Sequence, residues 1–104
     1  MLKIYFVMLD VLRDVKPMLG EIEKHDRDLG RQMRRAATSV VLNIAEGSGS
    51  THGVRRQRYE TALGSARETR ACLEAAEALG YVDRIDPKSK AGLAHVINVL
   101  FSVV

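Results

Sequence analysis

No tryptophan, one cysteine and two prolines stand in these 104 residues, and phenylalanine and tyrosine together make up only 5%. The lone Cys72 excludes an internal disulfide and suits a reducing compartment, where it reads as a small helix residue. With so little proline, and with hydrophobic residues at 46% and charged residues at 28%, the chain is an ordered globular one rather than a disordered one. Scarce aromatics beside abundant Ala, Leu, Val, Arg and Glu favour helices over a strand-rich sandwich. The apolar opening, Met1 to Leu9, is interrupted by Lys3, closed by Asp10 and followed by no small-residue cleavage site, so no secretory signal is expected. The apolar stretch Val99 to Val104 is far short of the roughly 20 residues a bilayer requires. A cytoplasmic protein without membrane contact is therefore expected. A chain of this length closes one core, so residues 1–104 are expected to form a single domain.

Groups that would carry catalysis are as sparse. His25, His52 and His95 fall in a turn, a loop and the last helical segment, with no second ligand at metal-binding spacing. The Glu-x-x-His pairs of a carboxylate-bridged di-iron bundle are missing, because Ile22 and Gly92 stand where the glutamates would be. Ser48-Gly49-Ser50 lacks the lysine and the preceding strand of a phosphate loop. No catalytic residue, metal site or cofactor is expected, and the chain reads as a non-enzyme.

What is present is helical periodicity, apolar residues recurring at three- and four-residue steps in four segments. In the first, Tyr5, Met8, Leu9, Leu12, Val15, Leu19 and Ile22 share a face, and Pro17 predicts a kink or a restart. The second, about Asp28 to Glu46, sets Leu29, Met33, Ala36, Ala37, Val40 and Ile44 toward a core, with Gly47 as its stop. Gly47 to Gly53 reads as a flexible connector. The third segment, about Val54 to Leu79, presents Tyr59, Ala62, Leu63, Ala66, Thr69, Leu73 and Ala76, its alanines implying close packing, with Arg70 and Glu77 at the margin. Asp86-Pro87 reads as the cap and first position of a fourth helix carrying Leu93, Val96, Ile97, Leu100 and Val104. The expected fold is all-α, a four-helix bundle.

Charge is unevenly spread. Between Arg27 and Arg58 seven arginines face two carboxylates, Asp28 and Glu46, a local excess of +5 in a chain whose net charge is +3. Arg27, Arg31, Arg34, Arg35 and Thr38 form a stripe opposite the core of the second helix and run on into Leu42 and Ala45. Arg55, Arg56 and Arg58 open the third helix, where free backbone N–H groups add to the attraction for anions. Arg31, Arg34, Arg35, Arg55, Arg56 and Arg58 are thus candidate contacts to RNA or DNA phosphates. Val41, Leu42 and Ala45, read as exposed, are a candidate oligomer interface.

Arg34 to Gly47, containing Ser39 and Asn43-Ile44-Ala45-Glu46-Gly47, and then Ala62-Leu63-Gly64-Ser65-Ala66-Arg67-Glu68 resemble the 23S rRNA intervening-sequence protein family. Its pattern is Arg-Ala-x-x-Ser, two apolar or small positions, Asn-Ile-Ala-Glu-Gly, a basic glycine-containing loop, and Ala-x-Gly-Ser-x-x-Glu. Leu79-Gly80-Tyr81 extends the resemblance over nearly the whole chain, while Val41-Leu42 stands where many members have Pro-Ser. The resemblance implies an antiparallel up-and-down bundle assembled as a homo-oligomeric ring, often of five, with no established catalytic residues. It is also similar to the accessory proteins of diversity-generating retroelements, which implies nucleic acid and a reverse transcriptase as partners. Ser39, Asn43, Glu46, Gly47 and Glu68 are taken as a structural motif. Ser39, Asn43 and Glu46 lie at neighbouring helical angles as a polar seam, Asn43 toward an adjacent helix and Glu46 toward Arg70 or an arginine of the third helix's first turn. The competing class is a protein-interaction module whose arginines are neutralised by Glu46, Glu60, Glu68 and intersubunit carboxylates.

Overall fold

The structure, a computed structural model, describes residues 2–104 and is built from four helices: α1 (Ile4–His25), α2 (Arg27–Ser48), α3 (His52–Ala78) and α4 (Pro87–Val103). Asp26 both ends α1 and caps α2, its carboxylate accepting from the Leu29 N–H at 3.0 Å, which satisfies one of the first-turn donors a helix leaves open. In the connection from α3 to α4 Asp86 accepts from Lys88 N–H and from the buried Ser89 hydroxyl, and Pro87 takes the first turn of α4. Gly80 closes α3 at φ +78°, a left-handed conformation that glycine adopts without penalty. The N–H groups of Gly80 and Tyr81 there return to the carbonyls of Glu77 and Ala76.

Pro17 neither ends nor restarts α1, which runs through it. Pro17 and Arg13 are both exposed, so water can take the Arg13 carbonyl that the proline leaves without a donor. The expected connector of Gly47 to Gly53 shrinks to Gly49, Ser50 and Thr51, because α2 continues through Ser48 and α3 begins at His52.

Each helix packs on its sequence neighbour, and α4 returns against α1. Cross-helix pairs give the register: Asp14 with Lys88 at 3.6 Å, Glu23 with Arg34 at 2.8 Å, Ser39 with Ser65 at 2.8 Å, and Arg67 over the Phe101 ring at 5.8 Å. Because every helix touches two others, its buried arc is wider than a single seam. In α1 this shifts the core to Ile4, Met8, Val11, Val15, Leu19 and Ile22, leaving Tyr5, Leu9 and Leu12 half-buried. The predicted core of α3 is buried in full, joined by Cys72, and Leu93, Val96, Ile97 and Leu100 are buried in α4. Among the described residues no helix is long and apolar enough to cross a membrane.

Candidate nucleic-acid interface

The inward side of α2 is a packing surface, and the motif residues lie on it or at its edge. Asn43 Nδ2 donates to the Ser39 carbonyl at 2.9 Å and to Ser39 Oγ at 3.1 Å, and Ser65 Oγ donates to Ser39 Oγ at 2.8 Å. The expected seam therefore exists, but Asn43 bonds within its own helix and Ser39 makes the crossing to α3. Thr69, fully buried, donates back to the Ser65 carbonyl and completes the run of satisfied polar groups. Glu46 pairs with Arg58 at 3.2 Å rather than with Arg70. Glu77 turns to its own chain reversal and accepts from the Ile85 N–H.

Gly47 is not the stop of α2. It is the buried penultimate residue of the helix, and a Cβ there would lie 2.6 Å from Tyr59 Cε1 and 3.2 Å from Arg58 Cβ. Only glycine lets α3 approach so closely. Tyr59, itself buried, reaches past it to Ser48 Oγ at 3.2 Å. Residue spacing shows that a glycine ends the motif. It does not show that an aromatic ring twelve positions on, across a turn, occupies the vacant volume.

The expected apolar patch is smaller than the sequence suggests. Val41 is only 9% exposed and belongs to the core, since α2 buries a wide arc between α1 and α3, and Ala45 is half-buried. Leu42 alone stands out, at 55% exposure.

The six candidate arginines fall into two groups. Arg31, Arg34 and Arg35 line a shallow depression with Thr38, Ser39 and Leu42 on the outer face of α2. Arg55 and Arg56 lie with His52 and Tyr59 beside the far end of α2, roughly 20 Å away along the helix at about 1.5 Å per residue. Their partners also differ. Arg55 donates to the Gly47 and Ser50 carbonyls at 3.3 and 2.9 Å, closing the end of α2 where a cation is favoured. Arg34 meets Glu23 at 2.8 Å, Arg56 meets Glu60 at 3.2 Å and Arg58 meets Glu46. Among the described residues no carboxylate pairs with Arg27, Arg31 or Arg35. Surface pairs of this kind contribute about 0–1 kcal/mol each, so an incoming phosphate can replace those carboxylates.

This geometry has relatives. Residues 2–100 match the family described as 23S rRNA-intervening sequence protein. The chain belongs to that family. A crystal structure of a protein of unknown function from the S23 ribosomal protein family of Bacteroides thetaiotaomicron VPI-5482 is similar, with a TM-score of 0.79 and 17% identity over 96% of each chain. At that identity the likeness shows the fold alone. Among curated proteins none matches the chain.

In this member of the 23S rRNA-intervening sequence protein family, Ser39, Asn43 and Gly47 are packing residues, while Glu68 faces solvent near Cys72. Burial first, and the Glu68 charge second, push the Cys72 thiol up, which keeps it protonated and a poor nucleophile. The three histidines are exposed, and His25 stacks on Tyr81 with ring centroids 5.2 Å apart. Among the described residues no three His, Cys, Asp or Glu side chains converge as a metal site would require.

Proposed function

We propose that this protein is a non-catalytic, antiparallel up-and-down bundle that assembles with copies of itself and binds RNA or DNA through backbone phosphates. The observation that carries the binding is the outer face of α2, where Arg27, Arg31 and Arg35 project without a carboxylate partner among the described residues. Arg34 beside them is held only by an exposed ion pair. The second group, Arg56 and Arg58, adds positive charge near the start of α3. Since no aromatic side chain lines the α2 depression, binding should follow charge and depend little on base sequence. Binding of a 20-base-pair duplex or of single-stranded RNA, measured between roughly 50 and 200 mM salt, tests this: affinity should fall by orders of magnitude. Absence of binding at the lower salt sinks the reading.

The opposed cross-helix register supports the antiparallel topology. Self-association is supported by the exposed apolar side chains Leu42 on α2, Phe6 on α1, and Phe101 and Val103 on α4. A ring of five rests on the family resemblance. These apolar groups, together with the three arginine–glutamate pairs, favour the alternative of a protein-interaction scaffold, which becomes the better reading if duplex and RNA both fail to bind.

A further inference from the structure

Where α1 and α2 pack, the surface between them is a groove with two unlike halves that share Arg34. One half is an apolar slot of about 210 Å³, floored by Leu12, Leu19, Met33 and Ala37 and rimmed by Lys16, Arg34 and Thr38. The other is an open trough of about 520 Å³ that shares Arg34 and adds Lys24, Arg27 and Arg31 against a single carboxylate, Glu23. Arg34 stands at the junction, bonded to Glu23 at 2.8 Å with both side chains more than a third exposed.

We propose that this groove binds a nucleotide unit, with its base in the slot and its phosphates over the trough. The proposal rests on the phosphate-binding reading for its charge and extends it to a site with a defined interior. The slot exceeds the ~150 Å³ apolar cavity that accepts benzene, so it has room for a flat ring system but not for a base pair. Of the four cations around the trough, Arg34 is countered by Glu23 and Lys24 by Glu21 at 3.0 Å, which leaves Arg27 and Arg31 to call for a ligand with more than one negative charge. A fatty carboxylate would fill the slot and leave the trough empty. Inorganic phosphate would do the reverse. A base joined to two or more phosphates uses both halves. The Thr38 hydroxyl already donates to the Arg34 carbonyl at 2.7 Å, and no other neutral polar side chain lines the slot, so the base is held by burial and little discriminated. Glu23 competes with the ligand for Arg34.

Calorimetric titration of the full chain at about 50 mM salt with pyrophosphate, ADP, octanoate and a 5′-phosphorylated hexathymidylate tests the site. ADP should bind about tenfold tighter than pyrophosphate, the gain expected from burying the base. Thr38→Phe changes an exposed position and roofs the slot. It should erase that difference while leaving pyrophosphate binding and the melting temperature unchanged. Glu23→Gln should tighten both ADP and pyrophosphate severalfold. ADP binding with no strand binding assigns a free nucleotide, and tighter strand binding assigns a single strand; either supports the site. Equal affinity for ADP and pyrophosphate, octanoate binding as tight as ADP, or indifference to Thr38→Phe overturns it. Loss of duplex binding with ADP binding retained would instead defeat the backbone reading and leave this site standing.

Discussion

The two sides of α2 use the same helix for opposite purposes. On the inner side Ser39 accepts from Ser65 of α3, Gly47 gives room to the Tyr59 ring of α3, and Asn43 donates to Ser39 within α2. On the outer side Arg27, Arg31 and Arg35 have none among the described residues, and Leu42 is left in water. The most recognisable residues of the chain are therefore largely scaffold, whereas the groups free to act on something else are arginines in a helical stripe of which only Arg35 belongs to the family pattern. Family membership, in this fold, reports how α2 and α3 fit together more directly than what the molecule binds.

Changes on the inner side should be felt as stability. The largest effect is expected for Gly47→Val, which drives a branched side chain into the Tyr59 ring. It should lower unfolding free energy by about 3 kcal/mol, measurable by urea denaturation followed by circular dichroism. An unchanged midpoint would mean that α3 can move away at no cost. Ser39→Ala removes the acceptor of Ser65 and one of two acceptors of Asn43, for a loss of about 1–2 kcal/mol. A double-mutant cycle with Ser65→Ala should give a coupling near 1 kcal/mol, and independence of the two changes would show that the seam is not cooperative.

Changes on the outer side should leave the folded chain within about 0.5 kcal/mol of its original stability. Leu42→Asp belongs here. It should barely alter unfolding of the isolated chain, yet convert an oligomer to a monomer in light scattering by placing a charge in an apolar contact. A protein already monomeric at tens of micromolar would remove Leu42 from the interface.

How much of this is legible in the sequence follows from the range of the interactions. The helices, the Asp86-Pro87 start and the α3 core depend on local periodicity and capping, and they are found where the spacing puts them. The role of Gly47, the buried position of Val41 and the Ser39–Ser65 bridge depend on which helix faces which, and a one-dimensional pattern does not contain that. The arginines were visible as a local excess of charge. Their division into a stripe on α2 and a second group opening α3 is legible too, but the turn of Arg55 to the Gly47 and Ser50 carbonyls comes from the short Gly49–Thr51 connection. Arg27 and Lys24 join Arg31 and Arg34 only because α1 brings Gly20 and Glu23 alongside them.

The claim that the outer face of α2 is the working face is tested most directly by the double variant Arg31→Ala/Arg35→Ala, assayed for both stability and duplex binding across salt. The account predicts an unchanged melting temperature, weaker binding at about 50 mM salt, and a slope of log affinity against log salt that is shallower by about two, one for each phosphate contact removed. The same slope and affinity as the unaltered protein would contradict it.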